Sequence, residues 1–502
     1  MKTEPRIEPA LEAGEPTPAE PRRLQMIVGG EHVDAADGQT FEVVNPATGE
    51  VIATVPLGGK EDVDRAVAAA RRAFEDPKGW STWSAAKRGR ALQKLANLCK
   101  DHIEELARLE SLNVGKPIRS SRGEALAVGL VFEYYAGAAT KVFGKTIPVS
   151  KPGLDFTLRE PVGVCGLIVP WNFPMNMASW KLGPALAAGN TCVLKPASYT
   201  PLTALRIAEL ALEAGIPPGV VNVVTGPGGT VGAALAGHPD VDKVAFTGET
   251  TTGQEILRLA AGNIKKVSLE LGGKSPNVVF ADADLERFAA ESPYAVFDNC
   301  GQDCCARSRI LVERSVHDTV VALFTEATRK VRVGDPFDDT TEVGPMVSFR
   351  QRERVLDYIG IGREEGAELV AGGTVPDDPA LARGAYLLPT VFDRVDPSMR
   401  IAREEIFGPV VSIIPFDTEE EAIRLANATP YGLSGSVWTR DLARALRVVR
   451  GIRSGVLSVN SNSSVHTEAP FGGYKMSGIG RELGMEALDL YTEVKNVFID
   501  LT

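Results

Sequence analysis

Gly166-Leu167-Ile168-Val169, Thr191-Cys192-Val193-Leu194, Val220-Val221-Asn222-Val223-Val224 and Lys243-Val244-Ala245-Phe246 are four short, mostly apolar runs separated by helix-patterned stretches at 176–188, 202–214 and 230–236. A run with so little polar surface has no side to show to water, so each predicts a strand covered on both faces. Helical segments between such strands carry the chain back over the sheet, and the product is a largely parallel sheet with helices on its faces. The fold class is therefore α/β. Ligands of such sheets gather beyond the carboxyl ends of the strands, which singles out the turns Pro170-Trp171-Asn172-Phe173-Pro174, Lys195-Pro196-Ala197-Ser198 and Thr247-Gly248-Glu249.

Outward from this core, a second strand-and-helix stretch runs from Phe288 to about Asn460, with strands at 308–312 and 410–415 and helices at 316–331, 351–365 and 418–427. Upstream, 26–56 reads as short strands with turns, and 61–74 and 85–113 are Ala-rich with apolar residues at helical spacing. Two β-rich runs about a Pro/Gly turn at 142–159 predict a projecting hairpin, and a comparable run, Tyr491 to Ile499, ends the chain. Such open edges are met either by pairing between subunits or by packing within one. The expected organisation is a mobile tail at 1–24 and a first α/β domain in two parts, 25–140 and 162–271, interrupted by a hairpin at 141–161. A second α/β domain at 272–460, a loop and return segment at 461–482 and a terminal strand at 483–502 complete it.

With 502 residues, 44% hydrophobic and 24% charged, the chain is large enough for two or three domains with sizeable cores. A net charge of -11 disfavours a nucleic-acid surface, since phosphate binding relies on clustered Lys and Arg. No apolar stretch is long enough to span a bilayer, and the Pro- and Glu-rich start lacks the apolar core of a signal peptide. Six cysteines without the dense spacing of a disulfide scaffold point to a reducing compartment, with the cytoplasm as the expected location.

The chemistry is concentrated in three distant segments. Asn299-Cys300-Gly301-Gln302-Asp303-Cys304-Cys305 carries a candidate nucleophile, Cys304; Leu269-Glu270-Leu271-Gly272-Gly273 carries a carboxylate; and Asn172 offers an amide. A thiol, a carboxylate and an amide are what is needed to attack a carbonyl, manage a proton and hold an oxyanion. Each has a plain alternative: a core cysteine, a surface carboxylate, and an Asn that caps the helix after it. Asp303 is expected to face away from the sulfur, because a carboxylate there opposes a thiolate. Cys300 and Cys305 are read as packing residues or cofactor neighbours. Lys195 suits ribose hydroxyls or a phosphate, while Glu405 and Phe407 in Glu404-Glu405-Ile406-Phe407-Gly408 suit a ribose and a planar ring. The five histidines form no ligand set, so no catalytic metal is expected.

Taken together, these ordered motifs closely resemble the NAD(P)-dependent aldehyde dehydrogenase superfamily, from about Met26 to the C-terminus. The resemblance implies a Rossmann-like cofactor domain, an α/β catalytic domain and a small β element for assembly into a homodimer or homotetramer. It implies that Cys304 attacks the aldehyde, that Asn172 and the Cys304 amide hold the oxyanion, that hydride passes to nicotinamide, and that Glu270 activates water. Ile168, Val169, Pro170, Trp171, Lys195, Gly248, Glu405 and Phe407 match cofactor positions; Lys181 and Glu482 match a deeper pair sometimes placed on a proton path, for which a structural salt bridge is the alternative. Ser198 stands where the family usually has Glu or a small neutral residue, which leaves NAD favoured and NADP open. Phe173, Trp180 and Phe471 match the acyl channel. The polar loop 460–468 suggests a hydroxylated or cationic aldehyde, with Glu468 as a distal charge partner. Rival readings are an NADP-preferring semialdehyde dehydrogenase, an amino- or betaine-aldehyde dehydrogenase and, remotely, a noncatalytic structural homologue.

Overall fold

In the computed structural model, which describes residues 21–463 and 465–502, the four apolar runs become neighbouring strands: Val221–Val223, Thr191–Lys195, Val164–Ile168 and Lys243–Thr247, all parallel and buried. Lys266–Glu270 adds a fifth parallel strand beside Lys243–Thr247. Alternation along each strand divides the side chains between two cores. Cys165 and Leu167 pack with helices Pro174–Ala188 and Leu202–Glu213, whereas Val164 and Ile168 pack with Lys60–Glu75 and Thr250–Ala260. Antiparallel strands close both ends of this eight-stranded sheet: Met26–Val28 with Glu31–Val33 at one, Gly478–Ile479 at the other.

A seven-stranded sheet forms the second lobe, in the order Glu368–Ala371, Thr390–Asp393, Val410–Phe416, Arg309–Glu313, Pro276–Val279, Ser434–Trp438 and Val456–Val459. Only the first of these runs antiparallel to its neighbour. This sheet has its own apolar core around Phe288, Phe324, Phe392 and Trp438.

Some elements differ from expectation for identifiable reasons. The helix expected at 85–113 breaks at His102 (φ -106°, ψ 25°) into Ala85–Asp101 and Ile103–Val114, the latter ending at left-handed Gly115. After it, Ile118–Ala138 forms a 21-residue helix that the periodicity did not announce. It lies so close to Ala85–Asp101 that a Cβ on Gly89 would stand 2.7 Å from the Ala136 carbonyl oxygen. The mobile tail expected at 1–24 is shorter at its end: Arg22–Arg23 pairs in parallel with Ala53 and Thr54. Residues 1–20 of that expectation lie outside the described residues. The two terminal β-rich runs pair with each other inside the chain, Gly153–Pro161 against Thr492–Asp500 along their full length, and Thr492–Asp500 is left as an outer strand. Among the described residues no helix is long and apolar enough to cross a membrane.

Candidate active site

A cavity of about 780 Å³ opens where the two lobes meet. From the first lobe it receives the turns after three neighbouring parallel strands: Pro170 to Phe173, Thr247 to Thr251, and Glu270 to Gly272. The second lobe contributes Asp303, Cys304 and Cys305 from the turn before strand Arg309–Glu313. Asn172, Glu270 and Cys304, far apart in the chain, thus line one hollow.

The Cys304 turn is shaped by its backbone. Asn299, Cys300 and Gly301 are all left-handed, with φ of 49°, 56° and 68°; for the two non-glycine residues this costs energy that surrounding contacts must offset. Those contacts exist. Asn299 Nδ2 donates to the Asn172 carbonyl at 2.8 Å, Asn172 Nδ2 donates to the Gln302 carbonyl at 2.9 Å, and Gln302 Oε1 accepts the Val347 N–H at 2.9 Å. Asn172 is therefore tied to the nucleophile turn and is not the helix cap, which is Phe173 without a side-chain cap bond. Its amide keeps a second N–H for an oxyanion.

Cys304 is only partly buried, whereas Cys300 and Cys305 are buried. Contact with the Cys305 thiol, then burial, then Asp303 and Glu270 hold the Cys304 thiol well above its usual range. The expectation for Asp303 is overturned: one carboxylate oxygen, Cys304 Sγ and Cys305 Sγ lie within 4.8 Å of one another. Its Oδ1 is held there by the Cys305 N–H at 2.9 Å. The side chain is half-buried and stands beside the sulfur rather than facing away from it.

Glu270 ends strand Lys266–Glu270, and both its carboxylate oxygens are buried without a hydrogen-bond partner among the described residues. Burial, then Glu482, pushes its carboxyl well above the usual range, with Lys181 opposing. Lys181 is fully buried, ion-paired with Glu482 and donating to Thr247 Oγ1 at 2.7 Å. A carboxyl group in this setting can hold a water and take its proton.

The other half of the cleft suits a dinucleotide. Lys195 is 4% exposed, with no hydrogen-bond or ion-pair partner for its ammonium among the described residues, and burial pushes it down to about 8. Such a group calls for oxygen ligands. Glu405 Oε1 accepts the Gly273 N–H at 2.9 Å, leaving Oε2 as an acceptor, and a Cβ at Gly272 would stand 1.9 Å from that Oε2 and displace the carboxylate. Trp171 and Phe407 meet edge to face at 5.2 Å, with Phe407 in a left-handed backbone (φ 58°). Gly248 and Pro170 also line the cavity, whereas Ile168 and Val169 bury their side chains in the cores beneath it. Ser198 Oγ donates to the Gly226 carbonyl at 2.9 Å. Glu249 makes no cap bond to the helix it precedes and reaches Arg354 of the second lobe at 3.9 Å.

On the acyl side, Phe173, Trp180 and Phe471 line the cavity, Trp180 and Phe471 edge to face at 5.2 Å. Glu468, expected as a charge partner, is exposed and outside the cavity lining. The acidic wall comes instead from Glu291, Asp298 and Asp303, with Tyr294 beside them. Sequence reasoning passed over Glu291, Tyr294 and Asp298; the first two, three apart, share a face of helix Leu285–Phe297, and Asp298 is its C-cap.

The family model described as "Aldehyde dehydrogenase family" matches residues 32–497. The chain is 47% identical over 474 residues to betaine aldehyde dehydrogenase of Bacillus subtilis (strain 168), covering 94% of this chain and 96% of that protein. It is 49% identical over 478 residues to the mitochondrial aldehyde dehydrogenase of Homo sapiens, covering 95% and 92%. The crystal structure of betaine aldehyde dehydrogenase from Staphylococcus aureus in complex with NAD+ matches with a TM-score of 0.94 at 42% identity, over 95% of each chain. The chain belongs to the aldehyde dehydrogenase family and is an enzyme of NAD(P)-dependent aldehyde oxidation.

Proposed function

We propose that this enzyme oxidises an aldehyde with a cationic head group, of the amino- or betaine-aldehyde type, to the carboxylic acid with NAD as the preferred acceptor. The observation that carries the reading is the pair of cavity-lining carboxylates Asp298 and Asp303, beside Cys304, Glu291 being ion-paired with Arg287 at 2.7 Å. Burial and then Asp303 push Asp298 up to about 6, and burial raises Asp303. An entering cation relieves that crowding of like charge. The cavity-lining aromatic residues Tyr294 and Trp180 suit an ammonium group, and a carboxylate-bearing semialdehyde would be repelled. The Bacillus and Staphylococcus relatives act on betaine aldehyde by name, and the latter is in complex with NAD+.

In this reading Cys304 Sγ adds to the aldehyde carbon, and the oxyanion accepts the free Asn172 N–H and the Cys304 backbone N–H. When bound in this cleft, NAD would supply the hydride acceptor for the adduct held on Cys304. Lys195, Ser198 and Glu405 position the cofactor, with Trp171 and Phe407 closing the ring end against water. The Cys304 thioester is then hydrolysed by water that loses its proton to Glu270, and the Lys181–Glu482 pair keeps that carboxylate's charge in balance. Phe173, Trp180 and Phe471 hold the acyl chain. The outer strand Thr492–Asp500, with exposed Val494, Phe498 and Ile499, serves as an edge for assembly into a homodimer or homotetramer. Six free thiols suit the cytoplasm.

Initial rates with trimethylammonioacetaldehyde and its uncharged isostere 3,3-dimethylbutanal test the substrate class. The cation is expected to be preferred by about tenfold or more in kcat/KM, in line with one desolvated cation–aromatic or ion-pair contact. Asp298→Asn should erase most of that preference while leaving the neutral substrate nearly unchanged. The KM for the cation should fall as pH rises through about 6, where Asp298 ionises. Equal kcat/KM values for the two aldehydes contradict the reading.

A further inference from the structure

We propose that Asp303 is a catalytic residue, the acceptor of the Cys304 thiol proton in the acylation step, distinct from Glu270, which serves hydrolysis. The inference rests on Cys304 being the nucleophile. Its geometric basis is the clustering of an Asp303 carboxylate oxygen, Cys304 Sγ and Cys305 Sγ within 4.8 Å of one another. Asp303 is the one carboxylate in that cluster, and its Oδ1 is fixed there by the Cys305 N–H at 2.9 Å. Glu270 lies outside that cluster, and both its oxygens are buried without a hydrogen-bond partner among the described residues.

Charge bookkeeping explains why this partner matters. Ionising Cys304 by loss of a proton to bulk water would place a second negative charge beside Asp303, in a buried setting already shared with Glu270 and Asp298. Handing the proton to Asp303 leaves the thiol–carboxylate pair at one negative charge throughout, so no additional charge has to be desolvated. The groups facing the pair are Arg307, Lys116, Asp298, Tyr294, Cys305 and Glu270. The buried Arg307 guanidinium and the Lys116 ammonium favour the pair's negative charge, while burial of Asp303 raises its affinity for the proton. In the forward step the S–H proton moves to the Asp303 oxygen, the sulfur lone pair forms the S–C bond, and the carbonyl π pair becomes the oxyanion. When the thioester is hydrolysed and the thiolate leaves, Asp303 returns its proton to sulfur. The proton from water is on Glu270 and passes to solvent.

Simple repulsion and proton acceptance predict opposite outcomes for Asp303→Asn, whose side-chain oxygen still accepts the Cys305 N–H. Cys304 alkylation by neutral iodoacetamide and the pre-steady-state NADH burst with neutral 3,3-dimethylbutanal keep substrate charge out of the measurement. The proposal expects both rates to fall by at least about tenfold near pH 7, at the low end for general-base catalysis. It also expects the shallow pH profile of alkylation to become a tenfold rise per pH unit in the Asn variant, with Asp303→Glu restoring the shallow profile. Unchanged or faster alkylation and burst in Asp303→Asn, with NADH binding intact by fluorescence titration, would overturn it. Alkylation that leaves activity untouched would instead refute the nucleophile assignment.

Discussion

Replacing Cys304 with alanine lowers kcat by at least about 10⁴-fold, the scale seen when the nucleophile of a covalent mechanism is lost. Cofactor affinity stays unchanged, because Lys195, Glu405 and Phe407 lie on other segments and the Cys304 side chain is only partly buried. No alternative thiol rescues the reaction. Cys305 touches the cavity but is 7% exposed and packs into the first-lobe core, and Cys300 lies in the second-lobe core, where burial raises its thiol. Stopped-flow absorbance for NADH formation, with NADH fluorescence titration for binding, checks both halves. Residual turnover within tenfold of wild type sinks the covalent mechanism.

Glu270→Gln produces a different signature. A carboxylate with both oxygens unbonded is placed to receive water, not to form the thioester, so acylation and hydride transfer survive while hydrolysis fails. The expected trace is a burst of about one NADH per active site followed by turnover slowed by roughly 10²- to 10⁴-fold, the usual range for loss of a general base. The pH dependence follows from the ionised carboxylate being the active form. Because burial and Glu482 raise its carboxyl well above the ordinary range, the rising limb of kcat in the native enzyme lies at correspondingly higher pH. That limb disappears in the Gln variant. A lost burst, with acylation itself abolished, would place Glu270 in the first half of the reaction and leave Asp303 without a separate task.

The parts of this molecule legible from the residues are those where local composition coincides with tertiary role. Runs such as Thr191–Lys195 are buried on both faces and contain little else than apolar residues, so their strand character needs no partner to be read. Asn172, Glu270 and Cys304 each have a plain alternative alone and become legible only as an ordered set, which the fold brings to one hollow. Helix Ile118–Ala138 was not, since Gly123, Gly129 and Gly137 dilute its pattern and its burial depends on helix Ala85–Asp101. The acidic wall escaped for a related reason. Glu291 looks like a solvated helix charge and Asp298 like a turn residue until helix Leu285–Phe297 and its C-cap are set against the cavity, and Glu468, which looked functional in a polar loop, is turned out to solvent. Asp303 was misjudged because its carboxylate is held beside the sulfur by the Cys305 N–H, a bond that no side-chain pattern encodes.

Mass spectrometry of the Glu270→Gln enzyme, quenched after mixing with excess aldehyde and NAD, tests the central claim most directly. The account predicts one acyl group per chain, located by peptide fragmentation on Cys304 and absent when Cys304 is also replaced by alanine. An acyl group on Cys300 or Cys305, or a completed NADH burst with no acylated peptide, would contradict it.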